Sequence, residues 1–231
     1  YLMTNKQALT VDCVLFDLDG TLINTAPDFL ETARNICDQK GITAPHPELI
    51  VQNVSNGAGA IIDLLLSPCY PEFDKDFLLK IFLERYLTNI ANTTSRLYPS
   101  YNRLLDSLEK QKIPWGIVTN KPSLYSEALL NALNLRSRCS VLVCPEDVVE
   151  KKPSAEPINL ALKTLGCSSD RSVYVGDHVR DIQSAKNANV IAIAAAYCYI
   201  PNGIKIEEWG ADFILDSSTN LSNLLKTLRF S

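Results

Sequence analysis

Short apolar runs alternate along this chain with stretches in which apolar positions recur every three or four residues. Six runs are rich in Val, Ile, Leu or Phe and lack polar alternation: Val11–Phe16, Trp115–Val118, Ser140–Cys144, Ser172–Val175, Val190–Ala195 and Asp212–Leu215. That is the pattern of strands buried on both faces. In Tyr101–Lys112, residues Tyr101, Leu104, Leu105 and Leu108 fall on one helical face. Pro122–Leu133 and Ser154–Leu165 read similarly, and Gly166 supplies a stop. Strand–helix alternation predicts an α/β fold, a doubly wound, Rossmann-like parallel sheet.

One stretch breaks the alternation. Between Asn24 and Ser95 no convincing strand is found. Pro27–Lys40 places Phe29, Leu30, Ala33, Ile36 and Cys37 on one face, with Pro27 in its first turn and Gly41 after it. Ala58–Leu66 and Phe73–Ile90 are further helices. An insertion of about 70 residues exceeds a normal crossover and reads as an all-helical domain. The expected division is residues 1–23 and 96–231 for the α/β core and 24–95 for the inserted segment.

Composition narrows the picture. The 231 residues are 46% hydrophobic, enough for a packed core and against disorder. Lys and Arg number 22 against 26 Asp and Glu, giving −4. Such a balance argues against a nucleic-acid partner held by overall charge. The longest apolar run, Val190–Ile200, has 11 residues, against ~20 for a membrane span. The seven cysteines form no C-x-x-C pair, and several lie in apolar runs as small hydrophobes. Tyr1–Thr10 lacks a signal-peptide core, and with Met3 as the only methionine the start reads as carrying tag or processing remnants. A cytoplasmic protein is the expectation.

The chemistry concentrates at strand ends. The first strand runs into Asp17-Leu18-Asp19-Gly20-Thr21. Two carboxylates leaving a buried strand need a partner, although the segment alone reads equally well as a polar turn. The fourth predicted strand ends in Gly176-Asp177, with Asp181 four residues on. If a helix starts there, the two carboxylates share a face, and an acidic helix start explains Asp181 unaided. Thr119 and Asn120 end the second strand, and Lys152-Pro153 follows the third. Individually these read as a helix cap and a solvated lysine pair. Together they fit the rule that open α/β sheets bind ligands beyond the carboxyl ends of their strands.

Asp17-x-Asp19-Gly20-Thr21, Thr119, Lys152 and Gly176-Asp177-x-x-x-Asp181, in that order, resemble the four motifs of the haloacid dehalogenase superfamily. The helical insertion resembles that superfamily's small cap. The resemblance implies a phosphatase. Asp17 would be the nucleophile, giving an aspartyl-phosphate. Asp19 would be the general acid and then the base. Thr119 would bind a phosphoryl oxygen, helped by amides near Gly20 and Asn120, and Lys152 would balance charge. Thr21 is placed in the same phosphate loop. The implied cofactor is Mg²⁺, held by Asp17, the Asp19 carbonyl and Asp177, with Asp181 as ligand or support. Dehalogenases of the superfamily lack the second carboxylate, so Asp19 favours ester hydrolysis.

Substrate choice falls to the cap. Val54-Ser55-Asn56-Gly57-Ala58-Gly59 resembles the corresponding loop of phosphoglycolate phosphatases, and Asn56 and Gly57 are its candidate contacts, although a plain turn reads as well. Glu84-Arg85-Tyr86-Leu87, Trp115-Gly116, His178-Val179-Arg180-Asp181 and Trp209-Gly210-Ala211-Asp212 resemble the N-acetylmuramic acid 6-phosphate phosphatases. The expected partner is therefore a small phosphorylated carboxylate, first 2-phosphoglycolate, alternatively the sugar acid. A phosphosugar mutase is a weaker reading. His178 reads as a helix-start residue, since Mg²⁺ rarely takes imidazole. Ala155 and Asn189 depart from the family pattern, replacing a common proline and glycine.

Overall fold

The computed structural model describes residues 10–66 and 74–228. The chain begins with β1 (Cys13–Phe16) and β2 (Ile23–Asn24). Four helices follow: α1 (Ala26–Lys40), α2 (Pro47–Asn53), α3 (Ala58–Leu65) and α4 (Lys75–Ile90). The chain returns through β3 (Arg96–Leu97), α5 (Tyr101–Lys110), β4 (Trp115–Val118), α6 (Ser123–Ala132), β5 (Val141–Val143) and α7 (Glu156–Leu165). It finishes with β6 (Ser172–Gly176), α8 (Val179–Asn187), β7 (Ile191–Ala195), β8 (Phe213–Leu215) and α9 (Leu221–Thr227).

Six strands form one sheet in the order β5-β4-β1-β6-β7-β8, all neighbours parallel. The strand carrying Asp17 is thus central, between those carrying Thr119 and Asp177. The four central strands are apolar because both faces are covered. Val14, Leu15, Phe16, Trp115, Val173 and Val175 are fully buried. The edge strand β8 departs from the expected pattern: Phe213 and Ile214 are 36% and 38% exposed, since one side has no neighbour. No helix among the described residues is long and apolar enough to cross a membrane. Six cysteines of that set are free thiols; Cys69 lies outside the described residues.

The sheet is interrupted after β1 by the helical segment. Within it Phe29, Phe82 and Tyr86 are in ring contact and Ile61, Ile62 and Leu78 are buried, all in an apolar cluster continuous with Val14 and Phe16 of the sheet. Three elements here escape the hydrophobic pattern. β2 and β3 pair antiparallel, Ile23 with Leu97 and Asn24 with Arg96, closing the mouth of the insertion. They are two-residue strands, too short for any periodicity. Helix α2 begins at Pro47, where Pro45-His46-Pro47 reads as loop. Its start is built by Pro47 in the first turn and by His46 Nδ1, which accepts the Glu48 N–H at 3.4 Å. Phe73, the expected start of the last inserted helix, lies outside the described residues. The helix begins at Lys75, capped by Asp74, which accepts from the Phe77 N–H at 2.9 Å.

Both ends of the segment are fastened to the core. Tyr199 Oη donates to Asn24 at 2.6 Å and accepts from the Ala26 N–H at 2.9 Å. Asp28, buried in α1, accepts from Ser95 Oγ at 2.6 Å and from the Thr94 N–H at 3.2 Å. The carboxylate at the entrance therefore clasps the exit.

Candidate active site

Asp17 follows directly from β1, and its N–H donates to the Val175 carbonyl at 2.9 Å. The side chain emerges where the sheet ends and is 7% exposed. A buried carboxylate there needs a counter-charge. Lys152, from the loop after β5, supplies it: Nζ lies 2.8 Å from Asp17 and 2.7 Å from Asp181, and donates to Tyr174 Oη at 2.8 Å and the Val118 carbonyl at 3.0 Å. Burial alone would lower the lysine pKa, but Asp17 and Asp181 outweigh it and hold the pKa above its ordinary value. The Lys152 loop is itself anchored by Asn120, whose Nδ2 donates to the Lys152 carbonyl at 3.1 Å. The Asn120 Nδ2 thus serves the loop, while its buried Oδ1 has no hydrogen-bond partner.

Asp177 stands between the end of β6 and the start of α8, not on the helix. Asp181 is inside the helix. Its Oδ2 accepts the His178 N–H at 3.0 Å, while His178 Nδ1 accepts the Arg180 N–H at 3.2 Å, a reciprocal cap. Burial and the Arg180 charge lower the His178 pKa to about 4, so the imidazole is neutral and acts as a cap. Asp17, Asp177 and Asp181 each place a carboxylate oxygen within 4.8 Å of the others. Burial, then the charges of Asp17 and Asp181, push Asp177 well above the usual carboxylate range. Burial raises Asp181 as well, against the pull of Lys152. Three carboxylates face one ammonium, so the cluster is short of positive charge. An oxygen-only donor set with that deficit fits a hard divalent cation such as Mg²⁺. Asp17 and Asp181 share the Lys152 ammonium, and Asp177 accepts from Ser55 and Thr21 instead.

Two residues of the first motif do something other than the expected phosphate contact. The Gly20 N–H donates to the Ile23 carbonyl at 3.0 Å, closing the loop on itself. Its backbone has φ +79°, and a Cβ there would meet Asp177 Oδ2 at 2.2 Å. Glycine is required by that close approach. Thr21 Oγ1 donates to Asp177 Oδ1 at 3.4 Å. Both residues therefore shape the Asp177 position.

Asp19 is held by a residue that the sequence pattern did not single out. Lys121 Nζ lies 3.0 Å from both carboxylate oxygens of Asp19 and donates to Tyr86 Oη at 2.8 Å. The ammonium also sits 5.2 Å from the Phe29 ring centroid and 4.6 Å from that of Tyr86, contacts that replace part of its lost hydration. The Lys121 N–H donates to Thr119 Oγ1 at 3.2 Å, which leaves the threonine hydroxyl proton available to an incoming acceptor.

A cavity of about 190 Å³ opens on this arrangement. Asp17, Thr119, Asn120, Lys121 and Lys152 line it from the core, and Phe29, Ser55, Asn56, Gly57, Leu83 and Tyr86 from the helical segment. Tyr125 adds a second aromatic face beside Tyr86, with ring centroids 6.0 Å apart. Asn56 and Gly57 reach the cavity as expected. Their polar groups are partly spent, however: Asn56 Nδ2 donates to Asn53 at 3.3 Å and the Gly57 N–H to the Val54 carbonyl at 2.9 Å. The loop's contact with the carboxylate cluster is Ser55, whose Oγ donates to Asp177 Oδ2 at 2.7 Å. Arg180 donates to the Ser55 carbonyl and secures it. Ser55, Lys121 and Arg180 all lie within or beside the quoted motifs, but nothing in their spacing sets them apart from surface polar residues.

A parallel sheet with carboxylates, a hydroxyl and a lysine converging at its carboxyl edge defines an α/β hydrolase site for phosphorylated or halogenated substrates. Residues 14–195 match the model of the haloacid dehalogenase-like hydrolases, and the chain belongs to that family. It is 37% identical over 213 residues to an N-acetylmuramic acid 6-phosphate phosphatase of Pseudomonas putida, covering 92% of this chain and 95% of that protein. It is 36% identical over 213 residues to a phosphoglycolate phosphatase of Xylella fastidiosa, covering 90% of each. In fold it is similar to a crystal structure of a predicted phosphoglycolate phosphatase from Haemophilus somnus, with TM-score 0.81 and 24% identity over 93% of this chain and 98% of that one. The protein is a phosphatase of this family.

Proposed function

We propose that the protein is a Mg²⁺-dependent phosphomonoester hydrolase that works through an aspartyl-phosphate on Asp17. The observation that carries this is the convergence of Asp17, Thr119 and Lys152 on one cavity, with Asp177 behind them and Asp19 beside them. Asp17 Oδ attacks phosphorus, a P–O bond to the carboxylate forms, and the P–O bond to the leaving group breaks. Asp19, in its acid form, gives the departing oxygen its proton. In the second half, Asp19 takes a proton from water. The resulting hydroxide attacks phosphorus, releasing inorganic phosphate and restoring Asp17. Thr119 donates to a phosphoryl oxygen, and Lys152 keeps Asp17 ionised and oriented. Asp17, Asp177 and the Asp19 carbonyl would hold Mg²⁺, with Asp181 supporting. Bound there, the ion supplies charge neutralisation that lets an anionic nucleophile approach a phosphate dianion. In this reading residues 24–95 act as a cap on the α/β core.

The substrate is a small phosphate ester that also carries a carboxylate. Of the two candidates, 2-phosphoglycolate and N-acetylmuramic acid 6-phosphate, the aromatic wall favours the second. Leu83 and Tyr125, half-buried and backed by the buried Phe29 and Tyr86, offer an apolar surface that a sugar ring covers and a two-carbon acid leaves exposed. The relatives named above include both activities. A parallel measurement of kcat/KM for the two esters and for glucose 6-phosphate tests the proposal. A preference of at least ~100-fold for one carboxylate ester identifies the class. No release of phosphate by the Mg²⁺-loaded protein from any of them refutes it.

A further inference from the structure

We propose that Lys121 is the receptor for the anionic group on the leaving portion of the substrate, and that this anion displaces Asp19 from Lys121. The inference rests on the phosphatase reading above and names the residue that sets its substrate class. Lys121 lines the catalytic cavity, whereas Asp19, which must reach the leaving oxygen, is not among the described residues lining it. The reason is visible in the geometry. All three ammonium protons are engaged, two by the Asp19 carboxylate and one by Tyr86. The lysine side chain is 5% exposed and the aspartate side chain 13%, so water competes poorly for either. In that setting the general acid is turned toward Lys121 and away from the space a leaving group would fill.

A substrate carboxylate entering the cavity meets a buried cation whose counter-ion can be exchanged. It takes the place of Asp19 on Lys121, with Tyr86 and the Phe29 ring unchanged on the other side. Asp19, a carboxylate while it pairs with the ammonium, is then free to take a proton from solvent and turn to the leaving oxygen. A phosphate ester without a second anion leaves the Lys121–Asp19 pair closed. Discrimination therefore appears in kcat as well as in KM, because the anion both binds and releases the acid. The other cations of the cavity are poorer receptors. Lys151 is exposed, where ion pairing is weak, and Arg180 holds the Ser55 carbonyl through Nη2 but keeps a buried Nε without a partner, which makes it the control cation.

The test compares N-acetylmuramic acid 6-phosphate and 2-phosphoglycolate with glucose 6-phosphate and p-nitrophenyl phosphate, in the wild type and in Lys121→Met, Lys121→Arg and Tyr86→Phe. The readout is the ratio of kcat/KM for carboxylate esters to that for the others. Lys121→Met is expected to lower the ratio at least ~30-fold, with part of the loss in kcat, and Lys121→Arg to recover most of it. Tyr86→Phe, which removes one hydroxyl, is expected to lower it about threefold and covers the case in which Lys121→Met does not fold. Inhibition of p-nitrophenyl phosphate hydrolysis by N-acetylmuramic acid, which has the carboxylate and no phosphate, is expected to weaken in parallel. An unchanged ratio in the folded Lys121 variants overturns the proposal, as does loss of the ratio in Lys151→Met or Arg180→Met instead. A wild type that hydrolyses these esters without regard to a carboxylate overturns this inference alone. A wild type that hydrolyses none overturns the phosphatase reading with it.

Discussion

Lys152 and Asp17 face one another at 2.8 Å with side chains only 1% and 7% exposed. The same ammonium reaches Asp181 at 2.7 Å. Removing it leaves two buried carboxylates without a counter-charge, beside a third at Asp177. Lys152→Met is therefore expected to lose about 3–5 kcal/mol of stability, read from urea unfolding of the metal-free protein. The sign of its pH dependence follows from the raised lysine pKa. The contribution is fully present below the ordinary lysine value of 10.5 and is lost as pH rises through the higher folded value. Wild type and variant should differ by a constant amount through neutral pH and converge only in alkali. A difference that disappears near pH 7 contradicts the assignment.

Mg²⁺ should stabilise the protein, and more at neutral than at acid pH. Asp177 and Asp181 have folded pKa values raised above 3.8. A raised carboxylate pKa means the folded state resists ionisation that the unfolded chain accepts freely. The penalty is absent below the unfolded value and grows as pH rises from there toward the folded value. A bound divalent cation removes it. Thermal melts with and without Mg²⁺ near pH 4.5 and pH 7.5 check this. A larger shift at the acid pH would contradict it.

Asp19→Asn separates the acid from the nucleophile. Loss of the acid matters when the leaving oxygen is a poor leaving group and little when it is an aryl oxide. The variant is expected to lose ~10²–10⁴-fold on an alkyl phosphate that carries a carboxylate, such as N-acetylmuramic acid 6-phosphate, and far less on p-nitrophenyl phosphate. Equal losses on both would assign Asp19 to binding. Asp17→Asn, in contrast, should abolish turnover of every ester.

Gly20→Ala tests the closeness of the first loop to Asp177. The added Cβ would lie 2.2 Å from Asp177 Oδ2 and 2.8 Å from Tyr199. Asp177 must move, so the thermal response to Mg²⁺ should weaken together with stability. Gly41→Ala provides the comparison, because Gly41 has φ +65° and an added Cβ there would meet nothing within 4 Å. It should cost about 1–2 kcal/mol of backbone strain and leave the Mg²⁺ response intact.

The parallel sheet was legible because its strands are continuous apolar runs, and the helical insertion because its faces repeat. Asp17, Thr119 and Asp177 were legible because each stands at the end of such a run, and Lys152 because it lies in the loop that follows one. Lys121 was not. A lysine after Thr119-Asn120 looks like any loop lysine, and its partners Asp19, Tyr86 and Phe29 are distant in sequence. Thr21 and Gly20 were assigned to phosphate because they belong to the motif, yet their geometry serves Asp177. Periodicity reports which face is buried, not which polar group a side chain meets there. β2, β3 and α2 escaped for a simpler reason, being too short to show a period.

The pairing of Asn24 with Arg96 brings the two ends of the helical segment side by side, within the ~5 Å of neighbouring antiparallel strands. A segment whose ends meet makes no demand on the register of the sheet beneath it. If residues 24–95 are the proposed cap, the edge that carries Asp17 and its covering meet in the chain only at this junction. Different helical inserts of different lengths could be exchanged at this junction, altering which ester is admitted while Asp17 and its neighbours keep their places.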